Sequence, residues 1–147
     1  MTPTPQPTQL ATLGGGCFWC LDAVYRDLNG VIDVQSGYAG GTAAQANYRD
    51  VCSGTTRQAE VVQVEVDPSL ITFADLLEIF WHVHDPTTPN RQGNDVGPQY
   101  RSIIFYHHAE QEAAARHSME TVGKNLWKDP VVTELEPFQK FYPAETY

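Results

Sequence analysis

The chain has 147 residues, 41% of them apolar and 18% charged, the size and composition of one globular domain rather than a disordered segment. Its net charge of −9 makes a poor surface for a polyphosphate, which sets DNA and RNA aside as partners. No apolar run reaches the roughly 18 residues that span a bilayer, and the opening MTPTPQPT has neither the basic nor the apolar region of a secretory leader.

Residues 1–8 carry three prolines and read as a frayed tail, with 9–147 as a single domain. Residues 9–13 are a short strand candidate that runs into Gly14-Gly15-Gly16. Phe18, Leu21, Val24, Tyr25 and Leu28 then recur at helical steps, which predicts a helix over 18–28, stopped by Gly30. A second strand fits 31–38, followed by a loop at Gly40 and Gly41. Ala59–Val66 alternates cleanly: Val62, Val64 and Val66 share one face, and Val61, Gln63 and Glu65 the other. Asp67-Pro68 ends it. Thr72 with Asp75 three residues on is a capping box in which Asp replaces the usual Glu or Gln. Phe73, Leu76, Leu77 and Phe80 form the apolar stripe of the helix that follows. Residues 84–99 hold three prolines and two glycines, and a loop that long inside a compact domain is usually functional. A strand over 100–106, a helix over 109–122 and a strand over 131–135 complete the order β, α, β, β, α, β, α, β. The fold class is therefore α/β of the α+β kind: a two-layer sandwich on a mixed sheet, with flanking helices and long loops.

The heptad Gly-Gly-Gly-Cys-Phe-Trp-Cys at 14–20 carries the most chemistry. Glycines let backbone amides turn toward one point. Cys17 stands where that loop enters a helix, whose free amides and dipole favour an anion. A thiolate is such an anion, so a depressed pKa and a reactive nucleophile are expected. The competing reading is a buried, inert cysteine in a glycine turn. Cys20 lies one helical turn on, within disulfide reach if the first turn opens slightly. A Cys17–Cys20 pair also admits a general dithiol–disulfide oxidoreductase, or a redox-sensing or metal-binding module. Cys17, Cys20, His82 and His84 would nominally make a zinc set, but His82 and His84 are only two apart and no metal site is expected. Phe18 and Trp19 are core residues on a helix in general; beside an exposed thiolate they can instead wall a small apolar pocket.

Glu60 shares the parity of Val62, Val64 and Val66, so its carboxyl projects to the apolar face of its strand. Desolvation there raises its pKa and keeps it protonated near neutrality, a state suited to a general acid. The alternative is a frayed strand end that lets Glu60 reach water. Asp95, in the Gln-Gly-Asn-Asp-Val-Gly segment, lacks the further oxygens of a calcium loop. Tyr48 and Tyr100 are hydroxyl donors at loop–element junctions.

Taken together, these residues resemble the peptide methionine sulfoxide reductases of the A class, which act on the S epimer. The matching segments are GGGCFWC at 14–20, SGYAGG at 36–41, NYRDVCSG at 47–54, QAEVVQVEVDP at 58–68, HDPTTPNRQGNDVGPQYRS at 84–102 and FYPAE at 141–145. The resemblance implies that Cys17 attacks the sulfoxide sulfur while Glu60 protonates its oxygen. It implies that Tyr48 and Tyr100 bind that oxygen, that Asp95 helps hold the substrate, and that Phe18 and Trp19 take its methyl group. The reaction it implies leaves sulfenic acid on Cys17, which a second thiol converts to a disulfide. Cys20 is favoured as that thiol by proximity, with Cys52 or a cysteine in a C-terminal tail, as in many members, as rivals. The implied substrates are methionine sulfoxide in proteins, in peptides or free. No bound cofactor is implied, only an external dithiol reductant, thioredoxin or DTT. A monomer in the cytoplasm is expected. Asp22 stands where the family usually carries Glu.

Overall fold

The computed structural model describes residues 8–40 and 58–144. Tyr48 and Cys52 lie outside the described residues. The elements are β1 (Gln9–Gly14), α1 (Phe18–Arg26), β2 (Val31–Ala39), β3 (Ala59–Val66), α2 (Phe73–Val83), β4 (Arg91–Gln92), β5 (Asp95–Val96), β6 (Ile103–Tyr106), α3 (Ala109–Ser118), α4 (Lys124–Leu126), β7 (Glu134–Pro137) and β8 (Phe141–Pro143). A 3-10 turn at Pro98–Tyr100 precedes β6, and a π-helical turn at Met119–Gly123 joins α3 to α4.

Six strands form one sheet in the order β7-β6-β1-β3-β2-β8. Only the β6–β7 pairing is parallel among these; the others are antiparallel. β1 and β3 are central, which suits the valine-rich β3. The main core lies between one face of the sheet and the helices. Val62, Val64 and Val66 pack there with Phe18, Leu21 and Tyr25 of α1, and Leu76, Leu77, Phe80 and Trp81 of α2. The Thr72–Asp75 capping box forms as its residues predict: each side chain accepts from the other's amide, at 3.1 and 3.0 Å. Trp81 is fixed from two sides, donating from Nε1 to Ser118 Oγ at 2.8 Å while its carbonyl accepts from Trp127 Nε1 at 2.9 Å.

Several elements differ from expectation. The face that Val61 shares with Gln63 and Glu65 is also partly apolar: a second cluster of Ala39, Ala59, Val61, Ile103 and Phe105, with Phe138 and Phe141 against it, lies on that side of the sheet. The strand expected from residue 100 begins at Ile103, because Pro98–Tyr100 wind into the 3-10 turn. The strand expected at 131–135 begins at Glu134. Before it, the Val132 amide turns aside to the Pro86 carbonyl at 2.7 Å, and only Glu134 reaches Ser102 of the neighbouring chain segment. The helix expected over 109–122 is α-helical to Ser118 and then widens. The long loop of 84–99 contains the β4–β5 hairpin, and β8 forms an additional edge strand. Among the described residues no helix is long and apolar enough to cross a membrane.

Candidate active site

The site is built at the end of β1, where three glycines lead into α1. Gly15 has His84 directly against its Cα: a Cβ there would lie 2.7 Å from the imidazole. Gly16 has φ +84°, a left-handed conformation that a side chain disfavours. Its amide donates to the Tyr100 carbonyl at 3.2 Å. The loop so held delivers Cys17 as the N-cap of α1 in an extended conformation, with the Cys17 carbonyl accepting from the amides of Cys20 (3.1 Å) and Leu21 (3.4 Å).

Behind the glycines, His84 is fixed at both ring nitrogens. Nδ1 donates to the Phe80 carbonyl at 2.6 Å, which leaves Nε2 to accept from the Ser102 hydroxyl at 2.7 Å. Ser102 Oγ in turn meets Thr133 Oγ1 at 2.7 Å. Burial holds His84 neutral, its pKa pushed down to about 4. Both nitrogens being used, His84 is no metal ligand, and His82 is exposed on α2. The Cys17–Cys20–His82–His84 set is not assembled, and among the described residues no group of three or more His, Cys, Asp or Glu is placed to hold a metal ion.

Glu60 sits at the start of β3, only 2% exposed, so the strand end does not let it reach water. Its Oε1 accepts from the Phe18 amide at 3.3 Å. Burial is the main reason its pKa is pushed up to about 7; the Phe18 amide works against the rise and the Asp95 charge adds to it. The carboxyl and the first free amide of α1 therefore share one spot beside Cys17.

The Cys17 thiol differs from the sequence expectation. Its pKa is raised, not depressed. Partial burial is the largest cause; the amides of Cys20 and Trp19 pull the other way, and the charges of Cys20 and Glu60 raise it further. The helix terminus acts as expected, but desolvation outweighs it. Cys17 is thus a thiol at neutral pH, beside a carboxyl whose own pKa is raised to about 7.

Around this pair, Trp19 is 55% exposed while Phe18 is buried. Phe18 backs Trp19 at 5.5 Å between ring centroids and touches Tyr38 at 5.6 Å. Trp19 is thus the exposed aromatic face beside Cys17, with Phe18 behind it. Asp95 is exposed on β5 and close enough for its charge to act on Glu60. Tyr100 ends the 3-10 turn that packs against β3. Cys20 is exposed on α1, and both it and Cys17 are free thiols. Asp22 faces away from this chemistry. It accepts from Arg26 at 2.7 and 3.1 Å and from Ser36 Oγ at 3.1 Å, tying α1 to β2. Residue patterns overlooked two contributors: Gln92, a lone polar residue in a loop, and His84, whose only sequence reading was as a ligand.

A family model described as peptide methionine sulfoxide reductase matches residues 9–147. The peptide methionine sulfoxide reductase MsrA of Sulfolobus acidocaldarius is 55% identical over 139 residues, covering 95% of this chain and 78% of that protein. The crystal structure of Mxr1 from Saccharomyces cerevisiae in reduced form is similar with a TM-score of 0.85 at 35% identity, over 99% of this chain and 84% of that one. Mxr1 in complex with Trx2 is similar with a TM-score of 0.64 at 28% identity, over 97% and 84% of the two chains. A cysteine at a glycine-held helix terminus, a buried carboxyl beside it and a match along nearly the whole chain agree: the chain belongs to the peptide methionine sulfoxide reductase family, A class.

Proposed function

We propose that the chain reduces the S epimer of methionine sulfoxide, with Cys17 as nucleophile and Glu60 as general acid. The observation that carries this is the buried Glu60 carboxyl, hydrogen bonded to the amide that follows Cys17, where burial raises its pKa to about 7. A sulfoxide sulfur is a weak electrophile until its oxygen is protonated or strongly hydrogen bonded. Glu60 supplies that proton as the Cys17 sulfur attacks. Tyr100, and Tyr48 by the family pattern, bind the same oxygen. Trp19 over Phe18 receives the methyl group, and Asp95 holds the rest of the substrate.

The oxygen passes to Cys17, which is oxidised to the sulfenic acid as the substrate sulfur is reduced to the thioether of methionine. The Cys20 thiol then displaces that oxygen as water and forms a disulfide with Cys17. An external dithiol protein reduces the disulfide and becomes oxidised itself. The solved Mxr1–Trx2 complex supports a thioredoxin in that role. Free thiols at Cys17 and Cys20 suit a reducing compartment, and the cytoplasm is the one proposed.

The test is a single turnover of reduced protein on each epimer of a peptide methionine sulfoxide, without external reductant. Methionine from the S epimer alone, and none from Cys17→Ser, is expected. About two thiols lost per methionine, falling to about one in Cys20→Ser, fits the Cys20 step. Peptide mapping that finds Cys17 joined to Cys52 would overturn that step. Reduction of neither epimer would overturn the whole reading.

A further inference from the structure

The β4–β5 hairpin carries Asp95 on one strand and Gln92 directly opposite it on the other. Gln92 also makes three contacts away from the hairpin. Its Oε1 accepts from the Asp85 amide at 2.8 Å, and its Nε2 donates to the Asp85 carbonyl. One carboxamide thereby takes up both polar groups of one backbone residue, as a neighbouring strand would. The aliphatic part of the same side chain lies against Gly16: a Cβ on that glycine would be 3.0 Å from both Gln92 Cβ and Cγ. Asp85 follows His84, whose ring lies against Gly15. So the two glycines before Cys17 are faced by His84 and Gln92, and these two are joined through the Asp85 backbone.

We infer that Gln92 is a positioning residue, locking the Asp95 hairpin to the glycine loop that presents Cys17. Its amide group is taken up by the Asp85 backbone. It sets where Asp95 stands relative to Cys17 and Glu60. A polar side chain that spends both its hydrogen bonds on one backbone residue fixes a direction as well as a distance, which an apolar contact alone does not. Among the described residues the hairpin is also held by Thr88 Oγ1, which donates to the Arg91 carbonyl at 2.5 Å, and within itself by Arg91 Nε donating to the Gly93 carbonyl at 2.7 Å and the Gly97 amide to the Asn90 carbonyl at 2.8 Å. None of these three bonds involves Gly16, which Gln92 meets directly.

The inference rests on the proposed roles of Glu60 and Asp95, and its test separates the two. Gln92→Met keeps the contact with Gly16 and removes both hydrogen bonds. Gln92→Glu keeps the acceptor but sets a carboxylate against the Asp85 carbonyl. Single-turnover rates on a peptide methionine sulfoxide would be measured against substrate concentration and pH for wild type, Gln92→Met, Gln92→Glu, Asp95→Asn and the double variant Gln92→Met/Asp95→Asn. Among the described residues, the titratable groups around Glu60 are Cys17 at the start of α1, Asp95 on β5, Tyr38 across β2 and Tyr100 on the turn against β3. Of these, only Asp95 rides on the hairpin.

With the tie to Asp85 broken, half-saturation should rise about tenfold, the scale of one hydrogen bond's worth of binding. The alkaline fall of the rate should move to lower pH, because the Asp95 charge no longer supports a protonated Glu60. In the Asp95→Asn background, Gln92→Met should move that limb no further. Should Asp95→Asn move the limb while Gln92→Met and Gln92→Glu leave it and half-saturation unchanged, Gln92 is no positioning residue and the roles of Asp95 and Glu60 stand. A limb that moves again in the double variant also overturns the inference, since Gln92 then acts by another route. If Asp95→Asn itself changes neither quantity, the role given to Asp95 falls, and the inference with it.

Discussion

Glu60 Oε1 accepts the Phe18 amide at 3.3 Å, so the carboxyl occupies the place at the helix terminus that a capping side chain would take; Cys17, the N-cap itself, makes no side-chain cap. The arrangement holds the carboxyl against the amide that follows Cys17 and uses up an otherwise orphaned donor. The thiol is not strongly activated at rest chiefly because it is partly buried; the neighbouring Glu60 charge adds a smaller rise.

Replacing the acid should therefore separate two properties of Cys17. Glu60→Gln should slow methionine sulfoxide reduction by about 10²–10⁴, the usual worth of a positioned proton donor. Alkylation of Cys17 by iodoacetamide needs no proton donor and should persist. Its pH midpoint should fall, because the Glu60 charge that raises the thiol is gone. In wild type the reduction rate should decline as pH rises through about 7, where Glu60 ionises, and this decline should be missing in the variant. Equal reduction rates for the two proteins would remove Glu60 from the chemistry.

Gly15→Ala tests the wall behind the loop that carries Cys17. The new Cβ would stand 2.7 Å from His84 Cδ2 and 2.8 Å from Cγ. The imidazole cannot swing aside without breaking its bonds to Phe80 and Ser102, and Phe80 lies 4.0 Å away ring to ring. Overpacking of this kind costs about 1–3 kcal/mol. Urea unfolding should show that loss, and the single-turnover rate should drop with it as the loop before Cys17 is displaced. Unchanged stability would mean that the ring yields more easily than its hydrogen bonds suggest.

The residues that announce themselves in the sequence are those whose signal is local. β3 alternates over eight residues and forms at Ala59–Val66 as written; the parity that puts Glu60 inward follows from the same alternation. The Thr72–Asp75 box needs only a four-residue pattern. What escaped depends on contacts between distant segments. β8 is three residues ending in proline, too short for periodicity, and exists because β2 offers it an edge. β7 starts late because Val132 is drawn to Pro86. The raised Cys17 pKa depends on how deeply the loop sits, which no heptad encodes. Gln92 and His84 matter through what they touch, Gly16 and Gly15, and glycines carry no mark of what lies against them. The Gln92-Gly93-Asn94-Asp95 stretch did contain a hairpin signal, a two-residue Gly-Asn turn. It was hidden by strands of only two residues each.

Two buried groups should oppose each other in the acid dependence of stability. Glu60 is raised from 4.5 to about 7, so the folded protein holds its proton more tightly than the unfolded chain. Its contribution is full below about 4.5 and is lost as pH rises through about 7. His84 is lowered from 6.5 to about 4, so the folded protein prefers it neutral. Its contribution is full above 6.5 and is lost as pH falls toward about 4. Between about 4.5 and 6.5 the two slopes have opposite sign and offset one another in wild type. Glu60→Gln should expose the His84 slope, giving a protein that loses stability toward acid more steeply than wild type. His84→Asn, which lacks a titrating ring, should expose the Glu60 slope and gain relative stability toward acid, whatever its overall loss from the broken Ser102 contact. Urea midpoints measured across that window, compared as slopes rather than absolute values, decide the matter. Slopes that match wild type in both variants would show that neither group titrates as its burial dictates.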